Sequence, residues 1–341
     1  MKRQATAEAP ANLAFVKYWG KKNSGLRLPA NNSISVNLSQ AKTTTSIIFD
    51  SAYGEDQVEV LGSNAPVKPE FSKRVSQHLD RIRNLAGAMG VKALVQTRNS
   101  FPSGVGIASS AAGFAALTTA AAAALELPLD QKALSALARL GSGSACRSIP
   151  DGFCEWIAGA DDHSSYAVQI VAPDHWDLRV VSVVVSEEIK KLSSTDGHAL
   201  AAASPFFEAR LATLPERLKK VREAIITRDF ATFGRETEME AISFHTIAMT
   251  SPIQNAAGWA SGAYYWLPES LEIMLAVQNW RQQGLPVYFT LDAGPTVHLL
   301  CLEKDVETLK EQVHHLEQMQ PGRSWRLLTN APANGARVLS R

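Results

Sequence analysis

The stretch Phe101-Pro102-Ser103-Gly104-Val105-Gly106-Ile107-Ala108-Ser109-Ser110-Ala111-Ala112-Gly113 runs a loop of Pro, Gly and Ser straight into an alanine-rich segment that reaches Leu127. Such a segment is a helix, so the loop must deliver the chain to a helix N-terminus. Small residues let the backbone close around phosphate oxygens. The first helical turn adds unpaired N–H groups and the positive end of the helix dipole. Ser109 and Ser110 stand where capping hydroxyls belong. The spacing has neither the Lys-Ser/Thr pair of a Walker A loop nor the dinucleotide GxGxxG. An anion site of another kind is the expectation, with a plain structural turn as the alternative.

A chain of 341 residues is long enough for two domains and a large core. Hydrophobic residues make up 45%, charged residues 20%, and the formal charge is +1, so no basic excess points to nucleic acid. The run Ala111 to Leu127 is too weakly apolar for a membrane span, and the N-terminal residues lack an apolar signal core. We therefore expect a cytoplasmic protein with neither a membrane nor a nucleic-acid partner. Cys146, Cys154 and Cys301 have no CxxC spacing, which argues against a disulfide framework or a zinc site. The eight histidines are scattered and read as surface or core residues rather than metal ligands.

Alternation at Ile34–Leu38 and Thr43–Phe49 predicts two strands joined by a short turn, followed by a polar excursion to about Pro69. Helical spacing over Phe71 to Ala88 predicts a helix ended by Gly90. Val91–Arg98 reads as a strand, Asp130–Leu140 as a helix and Val180–Val185 as a buried strand. From Pro205 to Arg228 and from Phe233 to Thr250 the apolar spacing is helical, with charges on the opposite face. Pro268–Gln283 predicts another helix. Val287–Asp292 and Thr296–Glu303 predict strands, and Val306–Gln318 a closing amphipathic helix. The order implies an α+β protein of two domains, 1–190 and 191–341.

Four segments carry chemistry. Lys17-Tyr18-Trp19-Gly20-Lys21 offers two ammonium groups and a phenol to an anionic ligand, unless it is a solvated basic edge. Gly141-Ser142-Gly143-Ser144-Ala145-Cys146-Arg147-Ser148 presents hydroxyls with a guanidinium, the natural bidentate partner of a carboxylate or phosphate, unless it is a capping turn. Lys190-Lys191-Leu192-Ser193-Ser194-Thr195-Asp196-Gly197-His198, a hydroxyl-rich turn after a strand, either binds phosphate or caps the helix that follows. Asp292, before Ala293-Gly294-Pro295, can accept or orient a proton if a cation holds it ionised, unless it forms an Asx turn.

Together these segments resemble the galactokinase/homoserine kinase/mevalonate kinase/phosphomevalonate kinase (GHMP) superfamily and, within it, the mevalonate diphosphate decarboxylases. The likeness rests on Asn12…Lys17-Tyr18-Trp19-Gly20-Lys21, on Leu28-Pro29-Ala30-Asn31-Asn32-Ser33-Ile34-Ser35-Val36, on the serine loop with Ala108 where the kinases have Gly, and on Gly141–Arg147, where the sister kinases carry an Asp. The chain departs from the family at Lys22-Asn23, at Pro150-Asp151-Gly152, at Ser103-Gly104-Val105 and at Tyr264-Tyr265-Trp266-Leu267-Pro268-Glu269. The resemblance implies an N-terminal half of the ribosomal protein S5 domain 2 type with a left-handed β-α-β crossover, a ferredoxin-like C-terminal half, and an active site between them.

It further implies ATP-dependent decarboxylation of 5-diphosphomevalonate to isopentenyl diphosphate. Asp292, Arg147 and Lys17 would be the catalytic residues. Asn12, Tyr18, Lys21, Arg74, Ser142, Ser144 and Ser193 would bind substrate, and Ser103, Gly104, Gly106, Ser109 and Ser110 would cradle ATP. Mg²⁺ would arrive with the nucleotide rather than in a cage of protein carboxylates, and a homodimer is implied. The alternatives are decarboxylation of 5-phosphomevalonate, a kinase that stops at phosphorylation, and a non-catalytic sensor on the same fold.

Overall fold

The structure, a computed structural model, describes residues 2–62, 66–101, 109–186, 193–254, 260–319 and 322–341. Ser103, Gly104 and Gly106 lie outside the described residues. Helices α1 (Pro69–Leu85), α2 (Ser109–Ala124) and α3 (Gln131–Gly141) cover one face of a seven-stranded sheet. Its strands run in the order Arg337–Ser340, Arg3–Val16, Ser33–Asp50, Lys92–Asn99 and Gln57–Val60, while Phe153–Trp156 and Ala167–Val171 extend it from Ser33–Asp50. Gln57–Val60 pairs parallel with Lys92–Asn99, and α1 supplies the crossover that a parallel pair requires. Alanines at 111, 112, 115, 116, 120 and 121 are fully buried. Their small side chains let α2 lie close against the long strands.

Three local expectations change. Residues 33–50 form one strand rather than two with a turn between them. Pairing jumps from Asn12↔Asn37 to Pro10↔Lys42, so surplus residues bulge outward without folding back. The bulge is held from the far end of the chain: Ser39 N–H donates to the Ala331 carbonyl (3.0 Å) and Gln40 N–H to Asn330 Oδ1 (2.9 Å). Helix α1 stops at Leu85, and Gly87, at φ +62°, turns the chain where Gly90 was expected to. Inside the polar excursion, Gln57–Val60 makes the sheet's edge strand.

The second half contains α4 (Ser194–Leu200), α5 (Phe207–Thr227), α6 (Phe230–Thr250), α7 (Pro268–Gln282) and α8 (Val306–Gln318). It also holds a four-stranded antiparallel sheet ordered Tyr288–Thr290, Val297–Leu302, Leu178–Val184, Arg326–Asn330. Leu178–Val184 is buried on both faces. Leu178 and Val180 meet α5, α6 and the first sheet, while Val181 and Val183 meet α7 and α8. That accounts for apolar residues at adjacent positions, Val180-Val181 and Val183-Val184, where a strand buried on one face would alternate, and each such side chain contributes about 1.5–3 kcal/mol of burial. Helices α5 and α6 thus sit between the two sheets, and a single core joins the halves. The chain has entered the second sheet by Leu178 and returns to the first at Arg337–Ser340. Among the described residues no helix is long and apolar enough to cross a membrane.

Candidate active site

Where the halves meet, a cavity of about 170 Å³ is lined by Lys17, Tyr18, Lys21, Arg27, Arg74, Ser110, Ser142, Ser144, Arg147, Ser194, His198 and Asp292, among others. Lys17 follows the first long strand, whose register shifts between Ala14 and Val16. Its Nζ donates to Asp292 Oδ1 (2.7 Å) and to the Ala14 carbonyl (2.6 Å). Its own backbone is fixed as well. The amide donates to Glu240 Oε1 (3.1 Å), and the carbonyl accepts from Asn31 Nδ2 (2.9 Å) and Arg210 Nη2 (3.0 Å).

Asp292 sits just past the strand Tyr288–Thr290, at a turn closed by Gly294 N–H on its carbonyl (2.8 Å). Burial raises its pKa, but Lys17, His298 and Arg147 together pull it below the ordinary carboxylate value. It is therefore ionised at neutral pH, with 23% of its side chain exposed. For Lys17, burial outweighs the attraction of Asp292 and lowers the pKa.

Arg147 lies in the 3₁₀ turn Gly143–Ser148 and is almost fully buried. Its hydrogen bonds go to neutral oxygens: Asn12 Oδ1 (3.0 and 3.2 Å), Ser35 Oγ (3.0 Å) and Ser33 Oγ (2.7 Å). A guanidinium so placed is oriented but not neutralised. Asn12 is thereby located: it stands behind Arg147, its Nδ2 donating to Ser148 Oγ (2.8 Å) and the Ser144 carbonyl (3.0 Å), and does not line the cavity. Gly143 is required, since a Cβ there would come within 2.7 Å of the Tyr18 ring.

Lys21, Arg27 and Arg74 gather in the same cavity. Arg27 Nε donates to the Leu140 carbonyl (3.0 Å) and Arg74 Nη2 to that of Gly141 (3.4 Å), so the negative end of α3 holds both guanidiniums. Burial first, then Arg27 and Arg74, lowers the pKa of Lys21. Three crowded cations make a receptor for a multiply charged anion. Ser193 turns out to cap α4, its Oγ accepting from Asp196 N–H (3.2 Å) and donating to Asp196 Oδ2 (2.6 Å), while its neighbour Ser194 lines the cavity.

Ser110 lines a second cavity too, of about 250 Å³, whose mostly apolar wall comprises Val58, Val60, Phe71, Val95, Phe114 and Leu117, with Ser109 at its edge. Its hydroxyl is 3.3 Å from that of Ser142. Sequence reasoning missed this second cavity, although the alternation of Gln57-Val58-Glu59-Val60 was a signal. It missed Arg27 as well, for which no local signal existed, since its partner lies 113 positions away, and it placed His198 in a phosphate-binding or capping segment without giving that side chain a role. Among the described residues no three His, Cys, Asp or Glu side chains stand together as a metal cage. The three cysteines are buried and free, and burial pushes the Cys146 thiol to about 12.

Two α+β halves meeting at a cleft of this kind define a protein of the GHMP-kinase-like fold. Residues 9–167 match the family model for the diphosphomevalonate decarboxylase-like N-terminal domain, and residues 180–334 that for the mevalonate 5-diphosphate decarboxylase C-terminal domain. The chain belongs to the diphosphomevalonate decarboxylase family. The diphosphomevalonate decarboxylase of Candida albicans is 37% identical over 310 residues, covering 85% of this chain and 82% of that one. A phosphomevalonate decarboxylase of Haloferax volcanii is 33% identical, covering 91% and 92%. The solved structure of MDDEF in complex with MVAPP, AMPPCP and magnesium superposes with a TM-score of 0.89 at 34% identity over 100% of both chains.

Proposed function

We propose that the protein is an ATP-dependent carboxy-lyase that converts 5-diphosphomevalonate to isopentenyl diphosphate, with CO₂, phosphate and ADP released. Family membership supports the reaction, and the observation that carries the residue roles is the buried Lys17–Asp292 pair facing an uncompensated Arg147 in one cavity.

Hydroxide is a poor leaving group, so the tertiary 3-hydroxyl is first phosphorylated by ATP. Asp292, held ionised by Lys17, accepts or orients the hydroxyl proton. Arg147 holds the C1 carboxylate in line with the C–O bond that will break. When that bond opens and phosphate leaves, the electron pair of the C1–C2 bond becomes the double bond and C1 departs as CO₂. Lys21, Arg27 and Arg74 suit the diphosphate, with Tyr18, Ser142 and Ser144 along the wall.

The apolar cavity beyond Ser110 suits the nucleotide base, which places the triphosphate past the start of α2. The hydroxyls of Ser109 and Ser110 are hard oxygen donors that suit Mg²⁺, which neutralises phosphate charge when bound. On sheet membership we assign the nucleotide half to the seven-stranded sheet with α1–α3, so that the division expected at residue 190 falls before Leu178.

The test is Asp292→Asn and Arg147→Lys, followed by CO₂ release with ADP formation. Each should lower kcat by about 10²–10⁴-fold while ATP affinity persists. Wild-type turnover in either variant would reject these roles, and ADP without CO₂ from the native protein would leave a kinase.

The 33% identity to a phosphomevalonate decarboxylase favours a second reading, 5-phosphomevalonate as substrate. Three clustered cations support the diphosphate, and comparing kcat/KM for the two substrates decides between them. We also infer a cytoplasmic homodimer. Free buried thiols suit a reducing compartment. Exposed Leu271 and Leu275, one turn apart on α7, support self-association, which sedimentation would reveal as twice the chain mass.

A further inference from the structure

We propose that His198 is a further substrate-binding residue, whose Nε2–H hydrogen-bonds the phosphorylated tail of the ligand. The inference rests on the reading above and names a group that it leaves unused. Gly20 N–H donates to His198 Nδ1 at 3.1 Å, so a neutral ring carries its proton on Nε2. The ring is clamped between Tyr18 and Trp19, with centroids at 4.1 and 4.5 Å and both planes tilted 36° to its own. A flip would forfeit the Gly20 bond. Among the described residues Nε2 has no hydrogen-bond partner, and His198 lines the cavity alongside Lys21, Arg27 and Arg74.

The charges around the ring explain why a histidine serves there. Burial, then Lys21 from its own segment, Arg147 from the 3₁₀ turn, Arg210 from α5 and Arg27 all hold the ring neutral. On α4 itself, Asp196 is exposed and occupied by Ser193. Another fixed cation would add repulsion to an empty site, whereas a neutral donor supplies direction without charge. Because the Gly20 N–H occupies Nδ1, the ring stays neutral when an anion arrives and meets it through the Nε2–H alone.

The experiment compares His198→Met, which keeps bulk without the donor, with His198→Gln, whose amide N–H can reach the place of Nε2–H. His198→Met should raise KM for the diphosphorylated substrate about tenfold, with kcat within about twofold and KM for ATP unchanged. His198→Gln should recover most of that loss. Calorimetry with inorganic pyrophosphate should show about tenfold weaker binding to His198→Met than to the native protein, with His198→Gln close to native. Unchanged KM and equal pyrophosphate affinity would overturn the proposal, as would equal loss in both variants with a lowered melting temperature, the mark of a ring that only props Tyr18 and Trp19. If the native protein released no CO₂, the proposed reaction would fall, and the pyrophosphate measurement would still decide the role of His198.

Discussion

Lys17 sits where burial works against its charge, and the Asp292 carboxylate 2.7 Å away, helped by Glu240, favours the charged form. Loss of the Lys17 proton leaves Asp292 as an uncompensated anion. Because the Lys17 pKa lies below the ordinary 10.5, the alkaline limb of kcat/KM should fall below pH 10.5. Lys17→Arg keeps its charge at any accessible pH, so a pH–rate profile should show that limb moved to higher pH. A fork cannot reproduce both the Asp292 and Ala14 contacts, and kcat should drop about 10–100-fold. An unmoved limb would assign the titration to another group. Both partners of this pair were legible because each sits in a motif. Their proximity was implied only by the family resemblance, which puts both in one catalytic set, for they are 275 positions apart and nothing local to either records it.

Between α5 and α6 the charged residues do something that their spacing does not announce. Arg210, Arg217 and Glu240 fall on the polar side of helical patterns and read as a solvated face. All three are buried, since the polar faces of the two helices press on one another and on the end of the first long strand. Periodicity tells which side of a helix is polar; it does not tell whether that side meets water or another polar side. Glu240 accepts from both arginines and from the Lys17 amide, so this cluster ties the interior helices to the lysine. Glu240→Ala should leave two guanidiniums without their carboxylate and destabilise the fold by about 3–5 kcal/mol. Calorimetry should register about 10 °C off the melting temperature. A loss near zero would mean that water replaces the carboxylate.

Across the whole molecule, the long helices were readable, because long apolar periodicities survive any context, whereas Arg3–Val16, Phe153–Trp156, Ala167–Val171, Arg326–Asn330 and Arg337–Ser340 were not read as strands. Sheet membership was not readable either. Leu178–Val184 and Arg337–Ser340 each pair with strands remote in sequence, and the texture change near residue 190 marks neither crossing. The last dozen residues are a case in point. Gly152 N–H donates to the Ala333 carbonyl (2.9 Å) and Ala336 N–H to that of Ser148 (2.8 Å), while Gly335 passes where a Cβ would meet the Ile149 carbonyl at 2.2 Å. Removing residues 331–341 should therefore lower kcat more than about tenfold and the melting temperature by several degrees, read by assay and calorimetry on the shortened chain. Full activity in that truncation would show that the 148–152 turn holds its shape unaided.

Ser148, which takes that bond from the tail, directly follows Arg147. During synthesis, then, every reactive side chain would precede residues 333–336, which brace the cleft from behind. A fragment ending before residue 331 would carry the whole chemical outfit in a slack frame, so a change far along the chain would act on the guanidinium from behind.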